Sequence, residues 1–178
     1  ITGVGFQPDF AWFKRRNSAT NHGLFDSIRG ANKRLSSNLN DDEFSDNNAL
    51  MSFNSDGYVV SSDGTTNAAG TYVSWNWKAG GSASSNTNGS ITSSVSANPS
   101  AGFSIVSYTG TGANATIGHG LSFVPTLLIV KKRASNGSDG VRSWAVYNST
   151  LGNAQGLYLN ATNAVFAAGN FWNSTTPT

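Results

Sequence analysis

Residues 3–16 return, without a gap, at residues 120–133. Gly3-Val4-Gly5-Phe6-Gln7-Pro8-Asp9 falls on Gly120-Leu121-Ser122-Phe123-Val124-Pro125-Thr126, an offset of 117. Phe10-Ala11-Trp12-Phe13 then falls on Leu127-Leu128-Ile129-Val130, and Lys14-Arg15-Arg16 on Lys131-Lys132-Arg133. The match slips by five and resumes at an offset of 122: Leu24-Phe25-Asp26-Ser27 on Val146-Tyr147-Asn148-Ser149, Gly30 on Gly152, Leu35 on Leu157, Asn38 on Asn160. The slip falls in Ala134 to Ser143, whose Ser-Asn-Gly-Ser-Asp-Gly centre is loop chemistry that tolerates length changes. A third block sets Phe53-Asn54-Ser55 on Trp172-Asn173-Ser174. Three collinear blocks mark a duplicated unit of roughly 120 residues, the size of one domain.

The copies are not equally complete. Gly102 to Ile117 has no counterpart in the first, and Tyr72 to Lys78 has none in the second. The expectation is a window on a longer tandem array. Between the copies, Ala79 to Ser90 is rich in Gly, Ser and Asn and carries no charge, as flexible linkers are. The expected domains are therefore a first β module over 1–79, a linker over 80–100 and a second β module over 101–178.

The periodicity is that of strands. Tyr72-Val73-Ser74-Trp75-Asn76-Trp77 alternates, which puts Val73, Trp75 and Trp77 on one face, expected to be the buried one, with Asn76 pointing away. Phe103 to Tyr108 is a short apolar and hydroxyl run before a Thr-Gly-Thr-Gly turn, and Ile91 to Ser96 alternates weakly enough to add only a short strand. Thr126 to Val130 is continuously apolar and reads as a central strand buried on both faces; Trp144 to Tyr147 is similar. Gly-bearing turns every 8–12 residues suit a sandwich or barrel. The best helical stretch, Asp41 to Met51, is rich in Asn and Asp and merits one turn at most. The expected fold is all-β: two related β-sandwich modules of jelly-roll or concanavalin-like type in tandem, with little or no helix.

Composition narrows the function. Lys and Arg number 11 against 9 Asp and Glu, a formal charge of +2, so nucleic acid is not an expected partner. No apolar run, Leu127 to Val130 included, comes near the roughly 20 residues that cross a bilayer, so membrane insertion is not expected. No basic stretch followed by an apolar run opens the chain, so no leader is visible. The absence of cysteine excludes disulfides, thiolate metal sites and cysteine nucleophiles together.

Several residue groups invite a chemical role. The Lys14-Arg15-Arg16 and Lys131-Lys132-Arg133 triplets could contact phosphate or anionic glycan, but both follow an apolar run, where charge marks a strand reaching solvent. Asp41-Asp42-Glu43 with Asp46, and the Asp56-Gly57 and Asp63-Gly64 turns, could ligate calcium, but none has EF-hand spacing and Asp-Gly is ordinary hairpin chemistry. His22, Asp26 and Ser27 contain triad residue types without a nucleophile elbow, and the second copy replaces them with Trp144, Asn148 and Ser149. The Trp residues 12, 75, 77, 144 and 172 could stack on sugars if exposed, yet large aromatics in a sandwich are more often core. No catalytic, cofactor-binding or metal residue is expected, no cofactor and no enzymatic activity; ligand-binding residues stay open.

The repeat itself resembles a β-rich module of marine bacteriophage tail-fibre and other virion surface structural proteins. The resemblance rests on Gly5-Phe6-Gln7-Pro8-Asp9 through Trp12-Phe13-Lys14, on Asn21-His22 with Leu24 to Gly30, on Phe53 to Tyr58, and on Tyr72 to Gly81. In the second copy it rests on Gly102 to Gly110, Gly118 to Leu121 and Trp144 to Tyr147. It covers nearly the whole chain, though Arg15-Arg16 is more basic than the module usually is there. The resemblance implies a virion structural protein, a tail-fibre or capsid-decoration component on the virion surface, with an adhesive or scaffolding role. Its implied partners are further copies of itself and other virion proteins. The alternative is a lectin-like carbohydrate-binding module for a host surface glycan.

Overall fold

The computed structural model describes residues 1–135, 142–169, 171–173 and 175–178. Among them there is no helix; fourteen strands form four antiparallel sheets. The strands are β1 Phe10–Arg15, β2 Gly23–Asp26, β3 Gly30–Leu35, β4 Phe44–Ser45, β5 Leu50–Asn54, β6 Gly57–Val60, β7 Tyr72–Trp77, β8 Ser84–Asn86, β9 Ser93–Asn98, β10 Phe103–Ser107, β11 Leu127–Val130, β12 Ala145–Asn148, β13 Gln155–Tyr158 and β14 Phe166–Ala167. The chain divides into two compact units: residues 1–35 with 44–122, and residues 36–43 with 123–178.

This division differs from the expected modules over 1–79 and 101–178. The stretch expected as a linker, 80–100, carries β8 and all of β9, and β9 pairs with β8 on one side and β10 on the other inside the first unit. The reason lies in its hydroxyls. Ser96 is buried, accepts from the Gly80 amide at 2.9 Å and donates to the Gly81 carbonyl at 2.8 Å. Serine alternating with Val95 therefore forms a strand although it is not apolar. Gly80 lets the backbones meet, since a Cβ there would lie 2.5 Å from the Ala97 carbonyl oxygen.

In the first unit the sheet order β4-β3-β2-β1-β7 places β1 between β2 and β7. One face of β1 carries Ala11 and Phe13, both buried, and these join Phe25, Ala49, Leu50 and Tyr58 in the core. Phe13 meets Phe25 and Tyr58 edge-on, with centroids 5.9 and 5.1 Å apart. The β5–β6 hairpin supplies Leu50 and Tyr58 from below. The Asp41 to Met51 stretch forms no helix: Asp46 accepts from the Asn48 amide and from Arg34, which turns the chain between β4 and β5.

The second unit is the sheet β11-β12-β13-β14. Trp144, Ala145, Val146, Tyr147 and Ala168 are buried in it. The Trp144 indole N–H donates to the Ser36 and Leu39 carbonyls, each at 3.0 Å, and so fastens segment 36–43 into this unit.

The sequence duplication reappears as identical strand pairing. Phe10↔Asp26 to Phe13↔Gly23 in β1–β2 becomes Leu127↔Asn148 to Val130↔Ala145 in β11–β12, at offsets 117 and 122. Leu24↔Leu35 becomes Val146↔Leu157, and Lys33↔Ser45 with Arg34↔Phe44 becomes Gln155↔Ala167 with Gly156↔Phe166. Smaller bonds follow. The Ser27 amide donates to the Asp9 carbonyl as Ser149 does to Thr126, and Asp46 to Asn32 as Ala168 does to Ala154. The β2–β3 turn also recurs, with the Asp26 carboxylate and the Asn148 amide oxygen each accepting the amide two residues on. Gly30 and Gly152 close these turns at φ +106° and +76°, backbone that glycine adopts at least cost.

Two expectations are corrected. β11 is not a central strand: it is the edge of its sheet, and Leu127 and Ile129 are 53% and 43% exposed, because no described strand takes the place that β7 holds beside β1. On β7, the face assignment is reversed. Trp75 and Trp77 are exposed, whereas Asn76 and Ser74 lie on the Ala11 and Phe13 side. Three large rings fill that side around Phe13, leaving room for the small Ser74 opposite it, whose Oγ sits 2.5 Å from the Tyr58 hydroxyl.

Candidate functional site

The outward face of β1 and β7 gathers the densest aromatic surface on the first unit. Alternate residues face the same way, so Phe10 and Trp12 of β1 stand across from Trp77 and Trp75 of β7. The ring centroids are 5.2 Å apart for Phe10 and Trp77 and 6.1 Å for Trp12 and Trp75. Phe103 of β10 stacks on Trp77 at 6.1 Å, with planes 23° apart, and also reaches Phe10. At the far end His22, just before β2, meets Trp12 edge-on at 5.8 Å.

His22 fixes the orientation of that end. Its Nδ1 accepts the Trp12 indole N–H at 2.7 Å, which makes the imidazole neutral with its other nitrogen protonated. Burial, and secondarily the charge of Lys14, hold its pKa below the ordinary value. Trp75 and Trp77 thus stand on a braced support while remaining 45% and 36% exposed. Contiguous apolar surface of this kind, rimmed by polar residues, marks a contact site more often than an isolated exposed ring does.

The other candidates are structural in their contacts. Lys14 Nζ donates to the Arg15, Ser18 and Thr20 carbonyls and closes the β1–β2 loop. Arg15 bonds Asn17 and the Ala69 carbonyl and lies over the Tyr72 ring. In the second unit Lys131 Nζ donates to the Asn40 and Lys132 carbonyls, and Arg133 pairs with Glu43 at 2.8 Å. Lys14, Arg15, Lys131 and Arg133 are thus engaged by nearby carbonyls, Asn17 and Glu43.

Asp42, Glu43, Asp46, Asp56 and Asp63, whose residue type could ligate calcium, are likewise engaged within the fold. Asp46 and Asp63 converge on Arg34, at 2.6 and 3.2 Å, and its guanidinium also lies 4.3 Å from the Phe44 ring centre. Asp56 accepts the Gly3 and Gly5 amides, which pull its pKa down. Asp42 accepts the Ser135 hydroxyl and amide, with the same effect. Among the described residues no three metal-ligating side chains cluster. Asp26 is buried against Arg29, whose Nε donates to it, while His22 faces Trp12; the structure does not assemble them with Ser27 into a triad.

Of the five Trp residues, Trp144 is buried and Trp172 packs on Tyr147 at 5.6 Å, as Phe53 packs on the first core that holds Phe25. Period-2 alternation puts Trp75 and Trp77 on one face, but it does not bring Phe10 and Trp12 of β1 to that face. It missed that Phe103 completes the site, because the strand that carries it follows the supposed linker.

No curated protein and no solved structure matches the chain. One family matches along residues 1–178, and the chain belongs to it: DUF7483, a domain of unknown function.

Proposed function

We propose that the chain is a structural and adhesive component of a bacteriophage virion surface, of tail-fibre or capsid-decoration type, acting in a homo-oligomer alongside other virion proteins. The repeated pairing of β1–β4 in β11–β14 carries this reading. It supports two related β modules in tandem, the arrangement that the resemblance to virion surface repeats implies. In particles purified from the phage that carries it, antibody against this chain is expected to decorate fibres or capsid. Recovery of the chain only in the particle-free fraction refutes the reading.

The exposed pair Trp75 and Trp77 favours a second reading, recognition of a host surface glycan. A sugar ring presents a face of C–H groups that stacks on an indole, and two braced indoles on alternate residues of a strand offer such a platform. On a glycan array the intact chain is expected to select one class of bacterial polysaccharide. Trp75→Ala is expected to lose at least tenfold in binding with no loss of fold by circular dichroism. Equal binding by the variant removes the aromatic face from this role.

A further inference from the structure

The connection between β8 and β9 lies against residues 116–118. The Ser90 and Ile91 amides both donate to the Thr116 carbonyl, at 3.0 and 3.1 Å, and the Thr116 amide donates back to Ser90 Oγ at 2.9 Å. Gly89 stands opposite Ile117 in an antiparallel bridge. The Ser90 amide, not that of Gly89, makes the bond across it, so the Gly89 N–H turns away from the pair. Only glycine fits at this position: φ is +99°, and a Cβ would lie 2.5 Å from the Thr116 carbonyl oxygen. The fold thus demands glycine directly after Asn88.

Asn88 is held by its main chain and open at its tip. Its amide donates to Asn86 Oδ1 at 2.8 Å. Its carbonyl oxygen and Cβ press on Gly118, where an added Cβ would lie 2.7 and 2.8 Å from them. Asn88 and Gly89 are both exposed, and among the described residues nothing bonds the Asn88 carboxamide or the Gly89 N–H. An electrophilic carboxamide and the backbone nitrogen that can attack it therefore share one solvent-facing bend, with no side chain on the second residue to hinder ring closure. The two described Asp-Gly pairs are closed by comparison. Asp56 accepts the Gly3 and Gly5 amides, which hold its carboxyl below the usual carboxylate range and so ionised, a poor electrophile. Asp63 Oδ1 accepts the Thr65 amide at 2.7 Å and Arg34 at 3.2 Å.

We propose that Asn88-Gly89 is a self-modifying site, which converts to isoaspartate and loosens the contact of the β8–β9 connection with Thr116. The Gly89 nitrogen gives its proton to hydroxide and attacks Asn88 Cγ. The new C–N bond closes a five-membered succinimide. The bond from Cγ to the carboxamide nitrogen breaks, and that nitrogen takes up a proton and leaves as ammonia. Water then opens the ring. Attack at Cγ gives aspartate; attack at the Asn88 main-chain carbonyl gives isoaspartate, whose main chain runs through Cβ and Cγ. One water is consumed and one ammonia released, with no change of oxidation state. Isoaspartate adds a methylene to the backbone just before Ser90 and so shifts it against Thr116; it also adds a negative charge. The inference does not depend on the virion or glycan reading.

The test incubates the intact chain in mildly alkaline buffer, digests it and follows each peptide by mass, with isoaspartyl methyltransferase to detect isoaspartate. The Asn88 peptide is expected to gain one dalton well before that of exposed Asn54, which accepts from Ser52 Oγ and precedes a serine, while Asp56 and Asp63 do not isomerise. Asn136-Gly137 lies outside the described residues and is read in its own peptide. In the aged chain the Ser90, Ile91 and Thr116 amides are expected to exchange about tenfold faster. Asn88→Asp adds the charge without the methylene and is expected to leave them protected. Asn88→Gln, which would need a six-membered ring, is expected to keep both its mass and its protection. Conversion at Asn88 no faster than at Asn54, or isoaspartate at Asp56 or Asp63 as soon as at Asn88, overturns the site. Unchanged exchange in the aged chain, or equal loosening in Asn88→Asp, overturns the proposed effect of the added methylene.

Discussion

Asp9 is the residue whose loss most directly tests how β7 is held. It is almost wholly buried, and its Oδ2 accepts the Ala79 amide at 2.8 Å and the Gly81 amide at 3.2 Å. Its backbone also takes part, with the amide donating to the Trp77 carbonyl. Asp9→Ala keeps the backbone bond and deletes the acceptor of two amides. A hydrogen bond to a charged group contributes about 1.5–3 kcal/mol, so two set a ceiling of about 6 kcal/mol. The Gly81 contact is long and its residue only half-buried, so water recovers part of that one. The expected cost is about 3 kcal/mol, against a typical total of about 5–15 kcal/mol. Urea unfolding followed by Trp emission measures the total. Amide exchange measures the local effect, and about 3 kcal/mol predicts roughly 100-fold faster exchange at Ala79 and Gly81. Asp9→Asn retains an acceptor and is expected to lose about 1–2 kcal/mol. Thr126, the exposed counterpart in the second copy, holds no described strand as Asp9 holds β7, so Thr126→Ala is expected to change stability by less than about 0.5 kcal/mol. An Asp9→Ala chain within about 0.5 kcal/mol of the parent, with unchanged exchange at both amides, refutes the reasoning.

Two further outcomes follow from single contacts. Because burial and Lys14 lower the His22 pKa from its usual 6.5, the unfolded chain takes up that proton first as pH falls. The contribution of His22 to stability is therefore full above about pH 6.5 and declines below it, and His22→Gln is expected to flatten the change in Tm between about pH 7 and pH 5. Gly80→Ala sets a Cβ against the Ala97 backbone, which cannot swing aside as a side chain does, and a loss of about 1–3 kcal/mol is expected in thermal or urea unfolding.

What the sequence discloses is uneven, for physical reasons. Offsets of 117 and 122 predict the pairing of eight strands to the residue, since a strand's register is locked by its ladder even where Phe10 and Trp12 have become Leu127 and Ile129. Period-2 alternation tells which residues of β7 share a face but not which face meets the core. That choice is made by the bulk of Phe13, Phe25 and Tyr58, residues distant in sequence from Trp75. The β8–β9 pair is hidden because β9 buries Ser93 and Ser96 on its two faces, whose hydroxyls are satisfied by the Gly118 and Gly81 carbonyls, bonds that composition cannot reveal. Of the aromatic site only the shared face of Trp75 and Trp77 was legible; its exposure and its partners Phe10, Trp12 and Phe103 depend on strand pairing.

Segment 36–43 gives the chain a mechanical property. It leaves the first unit after β3, is pinned in the second by Trp144 and by the Arg133–Glu43 pair, and returns at β4. The chain thus passes from unit to unit three times, after residues 35, 43 and 122, and no single cut releases either unit whole. Under tension the two fail in different ways. If the second unit melts first, the first gains only an eight-residue slack loop between β3 and β4. If the first melts first, the second keeps both ends of that segment tethered to unravelled chain, so load reaches Trp144 and Arg133 from two directions.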